Sequence, residues 1–157
     1  MGMVNRSAPP GEVVPGLYYD DVDAAISWLC GAFGFTERYR YGPADHPIGA
    51  FLAVGESSVA LSEARVGQSP DWDDDTDLRP PRGDFTTGGV SVRVTEVDAH
   101  YDRATAFGAR TFGPPTTYRF GERQYTAVDL AGHRWSFTQS VADIAPEDWG
   151  ATVPPPR

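Results

Sequence analysis

The sequence predicts an α+β fold built from two tandem βαβββ modules. Two observations carry this prediction: the order of strand and helix patterns in the first half recurs in the second half, and matching residues lie 74 or 75 positions apart. Val22-Asp23-Ala24 matches Val97-Asp98-Ala99, and Phe33-Gly34 matches Phe107-Gly108. A repeat at a fixed period is the sequence signature of an internal duplication. We therefore expect one structural domain made of two similar halves.

The first module is predicted to cover residues 13–64. Residues 13–19 form a short run typical of a strand, and Asp20-Asp21 then offers carboxylates that can cap a helix. Apolar residues at the i, i+3, i+4 and i+7 spacing continue to Phe33, and Gly34 suits the left-handed conformation that ends a helix. Three more strands are predicted at Thr36–Tyr41, Gly49–Val54 and 58–63.

The second module is predicted to cover residues 89–140. It begins with a strand at 90–94, where apolar and polar residues alternate. Thr95 and Asp98 form a capping-box pattern, which predicts a helix that ends before Gly108. Three strands follow at 110–112, 123–129 and 134–139.

Residues 65–88 are predicted to form an acidic connecting loop between the modules. The segment has three prolines and no periodicity, and five acidic residues lie between Asp71 and Asp77, beside Trp72. About 24 residues without secondary structure exceed the usual loop length, so the segment is either a flexible linker or a lid. Residues 1–12 and 141–157 are predicted to be terminal tails.

The amino-acid composition argues against several classes of function. The 157 residues carry a net charge of −9, which disfavours nucleic acid and anionic membranes as partners. No apolar run reaches the roughly 18 residues of a membrane span, so we expect a soluble, cytoplasmic protein. Cys30 is the single cysteine, which excludes an intramolecular disulfide, and the sequence has no lysine to form a Schiff base.

Several strings of the sequence together resemble one known superfamily. They are 19–29 with Phe33-Gly34-Phe35, 97–99 with 106–109, and 118–137 with its Gly132-His133-Arg134-Trp135 segment. Over residues 13–140 the chain resembles the vicinal oxygen chelate superfamily, also called the glyoxalase/bleomycin-resistance/dioxygenase superfamily. The resemblance implies an open, cup-shaped mixed sheet with the helices on its outer faces. It also implies a homodimer with binding sites near the subunit boundary.

The resemblance also implies where a metal would bind. Metal-using members hold a divalent ion with His, Gln or Glu from the first and fourth strands of each module, whereas drug-binding members have no metal. The matching positions here are Val14, Ser62, Gly89 and Ser136, none of which is a usual ligand of a catalytic divalent ion. Glu63 is the only fallback, so we expect no metal and no cofactor.

Strand alternation points to the residues that would face a ligand. Tyr18 could stack on an aromatic ligand or donate a proton, and Arg93 could bind an oxyanion in a bidentate manner. The other candidate ligand-binding residues are Ser62, Arg134, Ser136 and Thr138. The histidines are expected to be structural: His46 and His100 facing solvent, and His133 bonded within a turn.

These residues predict a metal-independent protein that binds a small, drug-like or aromatic molecule. The acidic loop would favour a cationic ligand and the arginines an anionic one, so a zwitterionic compound fits both. Two alternatives remain open. One is a metal-dependent lyase, isomerase or dioxygenase, and the other is a metal-free acid–base enzyme that uses Tyr18 and Arg93.

Overall fold

The computed structural model describes residues 3–67 and 77–156 and has the α+β fold that the sequence predicts. Two helices pack on two separate mixed sheets, of four and five strands, in an open arrangement. Most of the predicted acidic run, including Trp72, lies outside the described residues. None of the described helices is long and apolar enough to cross a bilayer.

The first module forms the four-stranded sheet. Its strands stand in the order β1-β4-β3-β2, with β1 parallel to β4 and the other neighbours antiparallel. A helix, α1, connects β1 to β2, as a parallel crossover requires. The elements are β1 Gly16–Tyr19, α1 Val22–Phe33, β2 Thr36–Tyr41, β3 Gly49–Val54 and β4 Ser57–Glu63.

The second module repeats this order with one additional short strand. Its sheet order is β5-β9-β8-β6, and β7 also pairs with β8. Residues 116 and 117 of β7 were not predicted as a strand, because two residues are too few to show an alternation. The elements are β5 Gly89–Arg93, α2 Val97–Phe107, β6 Arg110–Thr111, β7 Thr116–Thr117, β8 Glu122–Val128 and β9 Arg134–Ser140, followed by a 3₁₀ helix at Pro146–Trp149.

The two helices begin in different ways. Asp21 caps α1 as predicted, since its Oδ1 accepts a 2.9 Å hydrogen bond from the Ala24 N–H. The predicted capping box of α2 is wrong: Glu96 is the N-cap residue and no side chain of the cap bonds to the helix. Instead, the Val97 N–H donates to Oε1 of Gln139 at 3.0 Å, so a strand of the sheet satisfies one of the free N–H groups at this helix terminus.

One hydrophobic core joins the two modules. Phe33, at the end of α1, packs against Trp135 and Phe137 of β9, with ring centroids 5.7 and 4.7 Å away. The helices also touch directly at Gly31, where a Cβ atom would lie 2.3 Å from the ring of Phe107. Both βαβββ modules are therefore parts of one packed unit.

His100 lies within this junction, so the prediction that it faces solvent is wrong. Its Nδ1 lies 2.6 Å from the Tyr125 hydroxyl, and its Nε2 lies 3.0 Å from the Phe33 carbonyl oxygen. Burial lowers the pKa of His100. A neutral ring that donates from Nε2 and accepts at Nδ1 satisfies both contacts.

Candidate ligand-binding site

Each sheet has one face covered by its helix and one open face, and the predicted site residues lie on the open faces. The pairing register places Tyr18 beside Ser62 in the first sheet. In the second sheet it places Arg93 beside Thr138, and Ser136 likewise beside Ser91. Intervening residues of these strands, among them Tyr19, Leu61 and Phe137, are buried in the core. The alternation predicted from the sequence is therefore correct for these strands.

A row of four paired residues crosses the open face of the first sheet. Tyr18 pairs with Ser62, Ser62 with Gly49, and Gly49 with Tyr41. Gly49 leaves room for the ring of Tyr41, because a Cβ atom there would lie 2.1 Å from the phenol carbon and oxygen. We call this row the aromatic shelf. It borders a cleft of about 420 Å³ that Ile48, Glu63 and Arg65 also line.

Tyr41 was not among the predicted site residues, because its position depends on the register of β2. The pairing of β2 with β3 shifts by one residue between Glu37 and Tyr39. This irregularity decides which residue of β2 lies beside Gly49, and a period-two pattern does not reveal it. The sequence offered one signal for Tyr41, which is that a glycine, Gly49, stands opposite it in the neighbouring strand.

A second cleft, of about 540 Å³, lies between the two modules. Tyr18 lines it together with Arg134, so the structure brings two of the predicted site residues together here. The loop at 79–88 contributes Arg79 and Arg82, and we call the cleft the arginine cleft after these three arginines. Its other lining residues are Pro15, Gly16, Leu17, Pro80, Pro81, Phe85, Thr86, Thr87, Gly88, Gly89, Val90 and His133.

His133 fixes the strand that carries Tyr18. Its ring Nε2 lies 2.7 Å from the Tyr18 carbonyl oxygen and donates to it. Its backbone N–H donates to Oδ1 of Asp129 at 3.0 Å. The ring itself bonds to the first strand of the other module, so the prediction that it bonds to the turn backbone is wrong. The ring contact crosses from one module to the other, so His133 positions Tyr18 rather than only closing a turn.

The open face of the second sheet has polar side chains that are hydrogen-bonded to one another. Arg93 Nη1 donates to Glu122 Oε1 at 2.7 Å and to Ser140 Oγ at 3.2 Å. Thr138 donates to the other Glu122 oxygen at 2.8 Å and is almost fully buried. The hydrogen bonds from Thr138 and Arg93 lower the pKa of Glu122. Ser136 in turn lies 3.2 Å from the Thr126 hydroxyl, oxygen to oxygen.

Tyr18 and Arg93 do not line the same cleft. Tyr18 borders the aromatic shelf and the arginine cleft, whereas Arg93 borders two other clefts nearer to the β3–β4 turn. An acid–base enzyme that uses Tyr18 and Arg93 was one alternative from the sequence. Among the described residues, these two side chains do not share a cleft.

The donor atoms at the four metal positions do not fit a catalytic divalent ion. The side chains of Val14 and Gly89 have no donor atom, and Ser62 and Ser136 offer neutral hydroxyls. Glu63 pairs with Tyr19, so it projects to the face opposite Ser62. Within residues 3–67 and 77–156, no group of three or more His, Cys, Asp or Glu side chains could hold a metal ion.

Comparison with known proteins identifies the family. The family model of the Glyoxalase/Bleomycin resistance protein/Dioxygenase superfamily matches residues 11–137. The chain belongs to this superfamily. An uncharacterized protein of Mycobacterium bovis is 29% identical over 131 residues, which cover 83% of this chain and 84% of that protein.

Solved structures of the superfamily show the same fold. TioX from Micromonospora sp. ML1 is 32% identical with a TM-score of 0.66, and the match covers 83% of this chain and 98% of TioX. A superfamily protein from Nocardioides is 21% identical with a TM-score of 0.62, covering 92% and 90%. FosX from Listeria monocytogenes, a fosfomycin resistance protein solved in mutant form with Mn(II) and 1S,2S-dihydroxypropylphosphonic acid, is 17% identical with a TM-score of 0.57, covering 89% and 95%.

Proposed function

We propose that this superfamily member binds a small aromatic molecule without a metal ion. The observation that carries the proposal is the aromatic shelf, where Tyr18 and Tyr41 stand on one open face with Ser62 and Gly49 between them. An aromatic ring stacked on such a surface gains roughly 0.5–1.5 kcal/mol beyond the burial of its area. The Ser62 hydroxyl offers one donor and acceptor within the same row.

The size of the cleft supports the same proposal. Ligand pockets usually enclose about 300–1,000 Å³, combine apolar walls with a few polar groups, and are largely formed before the ligand binds. The shelf cleft, at about 420 Å³, lies within that range. Four hydrogen-bonded strands carry the row of shelf residues, so the site needs little ordering when a ligand binds.

The side chains at the four family positions distinguish this chain from a metal-binding protein of the same fold, and the structure of FosX contains Mn(II). A metal-dependent lyase, isomerase or dioxygenase would require Glu63 and ligands that the four family positions do not supply. Glu63 also has a different partner, since its Oε1 lies 2.6 Å from Nε2 of His46. These contacts favour a binding role over metal-assisted catalysis.

We also propose that the protein acts as a homodimer. Gly16 and Ser91 are exposed on the open faces of the two sheets, so the described residues of the chain leave these two positions uncovered. A second copy placed over them would turn each open face into an enclosed site. Light scattering at several protein concentrations tests this, and a monomer at every concentration would contradict it.

The experiment for the binding role combines metal analysis with a ligand screen. Protein purified without chelator is assayed for bound metals, and its thermal unfolding is then followed with a panel of aromatic acids, amides and cationic antibiotics, with and without EDTA. We expect aromatic compounds to raise the unfolding temperature equally in both conditions. About one equivalent of metal that is lost on Glu63→Ala substitution would overturn the proposal in favour of a metalloenzyme.

A further inference from the structure

We infer that the arginine cleft receives an anionic group, so that the ligand of this protein is an aromatic acid whose ring lies on the shelf. The inference rests on the proposed binding function and names the chemical class of its ligand. Ligands of this class have a carboxylate or phosphoryl group attached to an aromatic ring.

The charge of the arginine cleft is the opposite of the charge of the chain. Acidic residues outnumber basic ones by 22 to 13 in the whole sequence. Among the described residues, however, Arg79, Arg82 and Arg134 line this cleft and no aspartate or glutamate does. A concave site lined by charges of one sign attracts and concentrates ions of the opposite sign.

Two of these arginines have hydrogen-bond donors to spare. Arg134 contacts the ring of Phe112, with its guanidinium carbon 4.8 Å from the ring centroid, and has no ion pair with a described residue. Arg82 forms no salt bridge within the described part of the chain, and its charge acts on Asp77 without a hydrogen bond to it. Each guanidinium carries five N–H donors in a planar fork that matches a carboxylate or phosphate.

Arg79 has a different role from the other two. Its Nε donates to Oδ2 of Asp77 at 3.0 Å, and the Nη2 atom contacts the same carboxylate. Asp77 also accepts a 2.8 Å hydrogen bond from the Gly67 N–H, and these contacts lower the pKa of Asp77. Arg79 is thus held in place beside the cleft, while Arg82 and Arg134 are available to an incoming anion.

Three other arginines are already paired with carboxylates. Arg93 is bonded to Glu122, and Arg123 to Asp98 at 2.7 Å. Arg40 contacts both Glu37 and Asp23. Charge pairing of this kind screens a guanidinium from a ligand, whereas the arginine cleft brings three arginines together with no acidic residue in its described lining.

Tyr18 connects the two clefts. It lines the arginine cleft with Arg134 and the shelf cleft with Tyr41. A molecule with an aromatic body and an acidic group can therefore occupy both clefts while lying against one side chain. The contact from His133 to the Tyr18 carbonyl holds this shared wall in place.

The test uses a matched pair of probes, 2-naphthoate and 2-naphthamide, which share the ring system and differ in charge. Binding of each is measured by calorimetry to the wild-type protein and to Arg82→Gln and Arg134→Gln. Arg119→Gln is the control, because it removes the same charge from an exposed arginine that lines neither cleft. Phenyl phosphate is the third probe and distinguishes a phosphoryl group from a carboxylate.

We expect the wild-type protein to bind 2-naphthoate more tightly than 2-naphthamide. Arg82→Gln and Arg134→Gln should each weaken 2-naphthoate binding by about tenfold and leave 2-naphthamide unchanged, with Arg119→Gln near wild type. Added salt should weaken binding of the acid only. Circular dichroism confirms that each variant is folded.

Two contrary outcomes have different meanings. Equal binding of acid and amide, or equal losses in Arg119→Gln and the two cleft variants, would overturn this inference and leave the proposed function intact. If neither naphthalene compound nor phenyl phosphate binds, both the proposed function and the inference are overturned.

Discussion

The Tyr19 hydroxyl donates a 2.7 Å hydrogen bond to the Asp129 carboxylate, joining residues 110 positions apart in the sequence. Asp129 is buried and also accepts from the Trp135 indole N–H at 3.0 Å and from the backbone N–H groups of Ala131 and His133, each at 3.0 Å. Burial, together with the neighbouring Asp129, raises the pKa of Tyr19. The first strand of one module is thereby fastened to the β8–β9 turn of the other.

Replacing Tyr19 by Phe should destabilise the protein. The change removes a buried hydrogen bond to a charged group, so we expect the free energy of unfolding to fall by about 1.5–3 kcal/mol. Tyr101→Phe is the control, because the Tyr101 hydroxyl has no hydrogen bond to a described residue; its effect should be below about 0.5 kcal/mol. Urea unfolding measures both, and equal losses would show that the contact to Asp129 adds nothing.

The stability of the protein should fall on acidification because of His100. The folded state lowers the pKa of His100, so the unfolded chain binds this proton more tightly than the folded protein does. Its contribution is complete above the ordinary histidine pKa of about 6.5 and is lost as the pH falls below it toward the lower folded-state value. Urea unfolding at several pH values should show this loss.

Two variants isolate the contribution of His100. His100→Gln should unfold with a flatter pH dependence between about pH 7.5 and 5.5 than the wild-type protein. His46→Gln leaves His100 in place and should still lose stability in this range through His100. An unchanged slope in His100→Gln would rule out this residue as the source.

The aromatic shelf should depend on the space above Gly49. A methyl group at this position would displace the ring of Tyr41, so Gly49→Ala and Tyr41→Ala should both weaken 2-naphthamide binding, by about three- to tenfold. Tyr118→Ala serves as the control, since Tyr41 and Tyr118 are each 44% exposed and Tyr118 lies outside both clefts. Calorimetry provides the affinities, and a loss in Tyr118→Ala as large as in Tyr41→Ala would contradict a specific shelf.

Arg93 should contribute less to binding than Arg134. Its Nη1 is already 2.7 Å from Glu122 Oε1, so Arg93→Gln should change the affinity for 2-naphthoate by less than about twofold. Arg134→Gln, with the same loss of charge, should weaken it several times more. A larger loss in Arg93→Gln would instead place Arg93 at the ligand, as the sequence predicts.

The helix caps give a prediction that contrasts the two modules. Asp21→Ala removes the hydrogen bond to the Ala24 N–H and should cost about 1 kcal/mol of stability. Thr95→Ala should cost less than about 0.5 kcal/mol, because Thr95 does not cap α2. Thermal unfolding compares the two, and an equal loss in Thr95→Ala would restore the capping box predicted from the sequence.

Most of the fold could be predicted because the spacing of apolar residues and the residue types that form turns are local properties of a chain. The bounds of β2 and β3 agree with the structure at both ends. The first strand begins at Gly16 rather than residue 13, and Pro15 before it has no N–H to donate to a ladder. Gln139 was not predicted to bond to α2, since its contact with Val97 depends on how the sheet packs.

The candidate site could be predicted only in part. Alternation correctly placed Tyr18, Ser62 and Arg134 on open faces, because successive strand residues point to opposite sides of a sheet. It did not reveal that Glu122 engages Arg93, because that contact joins two strands separated by 29 positions. Nor did it single out Arg82, which lies in a loop without a periodic pattern.

The two-module plan, the face on which residues of the regular strands lie, and the lack of metal-ligating side chains at Val14, Ser62, Gly89 and Ser136 could all be read from the order of residues. Packing between distant segments decided that Tyr18 lines one cleft with Tyr41 and another with Arg134, and that His133 and Asp129 fasten the modules together. The physical reason is that a strand's period sets the direction of its side chains, whereas their neighbours depend on pairing register and on how the modules meet.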